Sequence, residues 1–152
     1  MTRLSSAFGN TDALRVKTFE LGGHIFKVRI PLTKEMDEMN RRIEDASKEE
    51  IELRFQKMTS AFRDGEKIDG IEITDDDVIV DGKSSRDLAQ SAIKIERRIV
   101  ELFSLLVPEA GNLEGLTYQE IEEDFPFSVQ VEMIAKISEA IQPGFKDQRK
   151  NS

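Results

Sequence analysis

The chain has 152 residues, 38% of them apolar and 34% charged, with a formal net charge of -8; these figures predict one domain with a modest core, a heavily charged surface and no bulk attraction for nucleic acid. It contains no cysteine and one histidine, His24, which excludes disulfides, thiol nucleophiles, thiolate metal sites and a histidine-built zinc cluster within one chain. No apolar run of signal-peptide length opens the sequence, and none reaches the roughly 18 residues of a membrane-spanning helix, so a soluble cytoplasmic protein is expected.

Residues 1–12 mix Ser, Gly, Asn and Thr around Leu4 and Phe8 without helical or strand period, and are expected to form a flexible arm. From Val16 to Leu21 and again from His24 to Ile30 the side chains alternate, and the Gly22-Gly23 pair between them can take positive φ, so a β-hairpin is predicted. A phosphate cradle would need a longer glycine pattern opening directly into a helix, and a lone His24 beside the turn fits a solvated or cross-strand residue. After Pro31, Thr33 is a candidate cap for a helix whose buried face is Met36, Met39, Ile43 and Ala46. The period breaks at Ser47, where Ser47-Lys48-Glu49-Glu50 forms a capping-box pattern and Ile51, Phe55, Met58 and Phe62 begin a new stripe. Ile71, Ile73, Val78 and Val80 then suggest a second small hairpin.

The intervening aspartates Asp75, Asp76, Asp77 and Asp81 lack the alternation, the internal glycine and the closing glutamate of a calcium loop. They read as a solvated acidic turn, with a carboxylate acid/base pair as the competing, enzymatic reading.

The longest regular stretch runs from Ser84 to Val107, with Leu88, Ala92, Ile95, Ile99, Phe103 and Leu106 on one helical face. Ser84 or Ser85 can cap its start, Asp87 suits the positive end of the helix dipole, and Pro108 ends it. Beyond Ile99 the apolar residues spread around the cylinder, so that end requires burial by this chain or by another. Thr117-Tyr118-Gln119-Glu120 is a further capping box. Ser128 is the expected cap of a last helix with Val129, Met133, Ile134, Ile137 and Ile141 on its stripe, anchored by Phe125 and Phe127. The predicted fold is α+β and mainly helical: a small N-terminal β-hairpin packed with a bundle of about four to five helices. A single domain is expected over residues 13–143, followed by a flexible basic tail, residues 144–152.

The hairpin from Lys17 to Val28, the helical middle, and the C-terminal run from Phe125 to Ile141, Phe-Pro-Phe-Ser-Val-Gln-Val-Glu-Met-Ile-Ala-Lys-Ile-Ser-Glu-Ala-Ile, closing in Gln148-Arg149-Lys150-Asn151-Ser152, together resemble the tail assembly chaperones of long-tailed, lambda-like bacteriophages. The likeness lies in arrangement across most of the chain and includes no diagnostic motif. It implies a non-enzymatic protein, without cofactor or metal, made in two forms by a programmed ribosomal frameshift. Adenine-rich codons for Lys150-Asn151 are compatible with such a slippery run. The resemblance further implies a protein that coats the tape measure protein, keeps it soluble while tail tube subunits assemble, and then leaves. Its implied place is the host bacterial cytoplasm, without membrane or nucleic-acid binding, and outside the mature virion. A chaperone of this kind needs exposed apolar helix faces on a charged, soluble body. The candidate partner-binding residues are Met36, Met39 and Ile43 on one stripe and Ile99, Leu102, Phe103 and Leu106 at the apolar helix end, the latter also a candidate surface for homo-oligomer formation. The alternatives are a non-enzymatic structural or head-tail joining protein of a phage and, in another class, a small hydrolase using the Asp75 to Asp81 cluster.

Overall fold

The computed structural model describes residues 2–9, 11–60 and 70–142; Phe62 and the predicted basic tail lie outside them. The described chain is α+β and mainly α, with six α-helices and five short strands. It forms two compact units, one from Met1–Asp37 with Ile99–Ser152 and the other from Glu38–Arg98.

The first unit opens with helix α1 (Arg3–Phe8) in the stretch that shows no period in sequence; Thr2 caps it by accepting the Ser5 N–H at 3.1 Å. Strands β1 (Val16–Leu21) and β2 (His24–Arg29) pair antiparallel, Leu21 with His24 and Lys17 with Val28, around the predicted Gly22-Gly23 turn. Both glycines have positive φ, 62° and 81°, as a two-residue hairpin turn of the primed type requires. Arg15 donates from Nε to the Ile30 carbonyl at 3.1 Å and joins Arg29 in clasping the Glu35 carboxylate, at 2.9 and 2.8 Å. Partial burial works to raise the Glu35 pKa, but the hydrogen bonds and charges of the two arginines outweigh it and hold the carboxyl below its usual range. Glu35 lies in α2 (Thr33–Glu44), where Thr33 is the first helical residue and the Leu32 carbonyl takes the Met36 N–H. The expected Thr33 cap therefore moves back by one residue.

Helix α4 (Ser85–Phe103) carries the chain from the second unit into the first. The sequence predicts helix through Val107. Instead the chain turns at Ser104 and Leu105 and becomes extended, and Leu106 bridges antiparallel to Val28. The Arg29 N–H donates to the Leu105 carbonyl and the Val107 N–H to the Lys27 carbonyl, both at 2.8 Å. The end of the apolar run is thus half-covered by pairing with β2 through an isolated bridge, which helix periodicity has no means of signalling. Helix α5 (Tyr118–Asp124) starts at the predicted cap, with Thr117 accepting the Glu120 N–H at 3.3 Å. Helix α6 (Phe127–Ile141) begins one residue before the expected Ser128 cap, with the Pro126 carbonyl accepting its first N–H groups. Buried Gln130 ties these helices together: its Nε2 donates to the Phe125 carbonyl at 2.8 Å and its Oε1 accepts the Tyr118 hydroxyl at 2.9 Å. Met133 and Ile137 are fully buried and α6 packs on the hairpin. Phe125 meets Phe103 edge to face at 5.4 Å, whereas Phe127 is 59% exposed and does not anchor the helix as expected.

The second unit holds α3 (Lys48–Thr59), capped as predicted by Ser47, which accepts the Glu50 N–H at 3.1 Å. Its buried face is Phe55 and Thr59, with Thr59 Oγ1 donating back to the Phe55 carbonyl; Met58 is exposed, so the expected stripe is off by one position there. Strands β3 (Ile71–Ile73), β4 (Val78–Val80) and β5 (Lys83–Ser84) form an antiparallel sheet in chain order. Phe55, Val78 and Ala89 make the core, flanked by Ile51, Ile71 and Val80. On the first half of α4, Ala89 and Ile93 are buried while Leu88 and Ile95 are exposed, the reverse of the predicted phase. Charged pairs fix the helices around this core, among them Arg54 with Glu96, Arg97 with Glu50, and Lys94 with Glu44 at 2.8 Å.

Candidate partner-binding cleft

The first unit contains a cleft of about 910 Å³. One wall is β2 itself, from His24 to Lys27, and the floor is Phe103 with Leu106. After Val107 the pairing with β2 ends and Pro108 opens a loop. The following loop brings Leu113 and Leu116 to the opposite wall, held by a hydrogen bond from the Leu116 N–H to the Leu113 carbonyl at 3.3 Å. The Thr117 cap then starts α5, which adds Ile121, and Phe125 closes that wall. The lining is chiefly apolar, while Glu109, Glu120 and Asp124 set negative charge at its margin against the single cation Lys27. His24 Nε2 lies 3.3 Å from Glu109 Oε1 with both side chains well exposed, and its ring meets Phe26 edge on at 4.6 Å. Such a cleft can receive apolar side chains and favours positive charge beside them.

Of the residues expected to bind a partner, Phe103 and Leu106 line this cleft. Ile99, Leu102 and Phe103 are buried in the first unit, Leu102 being 4% exposed, and Met39 and Ile43 are buried in the second. All five side chains serve the chain's own core, and of them only Phe103 also reaches the cleft, as its buried floor. Met36 and Leu106 are half-buried. Leu113 and Leu116, between the Pro108 helix stop and the Thr117 capping box, are the residues that the sequence did not mark; two leucines three apart in a Gly- and Asn-containing segment are the signal that was present.

The acidic stretch in the second unit has a structural task. Asp77 Oδ1 accepts the N–H groups of Val78 at 2.8 Å and Arg86 at 3.2 Å, and its Oδ2 accepts the Ser84 hydroxyl. Partial burial would raise its pKa, but these hydrogen bonds and the Arg86 charge prevail and hold it below the ordinary range. Arg86 in turn pairs with Glu52, donates to the Asp76 carbonyl and lies 4.0 Å over the Phe55 ring. Asp77 thereby joins the β3–β4 turn to the start of α4, and the solvated-turn reading fails for this residue. Asp81 and Gly82 have positive φ, 51° and 80°, and make the two-residue turn between β4 and β5. Among the described residues no group of three or more His, Asp or Glu side chains is placed to hold a metal ion, and no helix is long and apolar enough to cross a membrane.

Set against models of known protein families, curated proteins and solved structures, the chain matches none.

Proposed function

We propose that this protein is a non-enzymatic tail assembly chaperone of a long-tailed bacteriophage, which holds an apolar segment of the tape measure protein in the cleft between β2 and α5. The observation that carries this reading is the cleft itself: half-buried Leu106, Leu113, Leu116 and Phe125 standing over buried Phe103 and Ile121, on a chain of net charge -8. Open apolar surface rimmed by charge suits reversible capture of a sticky polypeptide by a carrier that itself stays in solution. Recruitment of tail tube subunits, work in the host cytoplasm and absence from the finished virion belong to the same proposal.

Co-expression with the tape measure protein of the same genome tests it. The chain is expected to raise the soluble fraction of the tape measure protein and to co-purify with it, and Leu116→Glu, folded by circular dichroism, is expected to lose both effects. A tape measure protein equally insoluble with and without the chain contradicts the proposal. Retention of the chain in purified virions would instead place it with the structural and head-tail joining proteins.

A further inference from the structure

The hairpin register determines which backbone groups of β2 face away from β1. The Ile30 N–H donates to the Arg15 carbonyl, and the two-residue turn makes Leu21 and His24 the closing pair, so the even-numbered residues of β2 bond to β1. The odd-numbered residues point to the other edge. Lys27 and Arg29 use that edge to bind Leu105 and Val107. Pairing stops at Val107, one step short of Ile25. Among the described residues no backbone bond reaches the N–H or carbonyl of Ile25 from that side, and the Ile25 side chain is 63% exposed. The cleft reaches this same edge, because His24 and Phe26 from one face of the strand and Ile25 and Lys27 from the other all line it.

We propose that the open edge of β2 at Ile25 takes up an extended segment of a client protein as an added β-strand, with alternate apolar side chains entering the cleft and basic residues meeting its acidic margin. This rests on the reading of the cleft as a client site and specifies how the client is held. Main-chain bonds to Ile25 supply affinity without regard to sequence, and the half-buried Leu106, Leu113 and Leu116 surface selects apolar residues at every second position. Glu109, Glu120 and Asp124 against Lys27 leave the margin net negative, which selects Lys or Arg between them. A tape measure segment held this way is kept extended and out of helical self-association until it is released.

The test uses the full chain and synthetic peptides of alternating Val and Lys, read by isothermal titration and by amide hydrogen exchange at Ile25. The peptide is expected to bind and to slow exchange of the Ile25 N–H. N-methylation of the residues facing β2 should weaken binding about tenfold, the loss of one or two net hydrogen bonds, while N-methylation of the residues facing away should not. Replacing Lys by Glu should weaken it further, in a manner that added salt reduces. Equal binding of both N-methylated peptides, or tighter binding by an amphipathic helical peptide, overturns strand addition and leaves the chaperone reading standing. Slow exchange at Ile25 in the free chain overturns it as well, since the edge would then be occupied by the protein itself. Failure of every peptide together with the tape measure protein sinks both.

Discussion

Asp77 stands at the centre of the second unit's polar contacts, and its identity was legible while its task was not. Four aspartates in a short stretch read by composition as a solvated turn, but Asp77 reaches forward to Ser84 and to the Arg86 N–H in the first turn of α4, a contact that no local spacing rule describes. Asp77→Asn keeps the shape and removes the charge and part of the acceptor capacity, and is expected to lower stability by about 1–3 kcal/mol. The pH dependence has a definite sign. A carboxyl held low in the folded state stabilises fully above its unfolded pKa, near 4, and the contribution is lost as pH falls through the folded value. Urea titrations between pH 2 and pH 6 should therefore show a shallower acid limb in Asp77→Asn than in the parent; equal limbs would remove Asp77 from this account. Gly70 makes a second prediction of this kind. Its φ is +84°, and a Cβ there would stand 2.6 Å from Asp81 Oδ1. Gly70→Ala should cost at least about 1 kcal/mol from backbone strain alone, seen as a lower urea midpoint with unchanged slope.

Helices α3 and α5 were legible at their starts because Ser47 and Thr117 satisfy N–H groups three residues on, a rule confined to one turn of chain. The hairpin was legible for the same reason, since Gly22-Gly23 sets the turn and alternation sets the faces. Helix α4 shows where such rules stop. Columns starting at Leu88 and at Ala89 are both apolar, and only the contact of Ala89 with Phe55 and Val78 decides which is buried. At its far end, main-chain pairing with β2 draws Leu105–Val107 out of the helix, a tertiary effect stronger than helical propensity. Leu102 follows from this packing. At 4% exposure it is a core residue, so Leu102→Ala should cost about 2–5 kcal/mol and Leu102→Glu should unfold the first unit. Circular dichroism with light scattering checks this: a folded Leu102→Glu monomer derived from an oligomeric parent would return Leu102 to a subunit interface.

For the molecule as a whole, composition was informative about class and silent about site. The charged fraction predicted charged faces, and the helical and alternating periods an α+β, mainly helical protein; the α+β, mainly α fold agrees. The cleft escaped notice because its walls come from three separated segments, β2, the residues after α4, and the Leu113 to Phe125 stretch, none of which is amphipathic in a way that marks a groove. Methyl NMR spectra of the full chain, recorded while a tape measure fragment is added, test whether a client occupies this cleft. Shifts are expected to concentrate on Ile25, Leu106, Leu113, Leu116 and Ile121, while the exposed Leu53, Ile73 and Ile95 of the second unit stay in place; shifts confined to the latter group, or none at saturating fragment, would rule the cleft out as the client site.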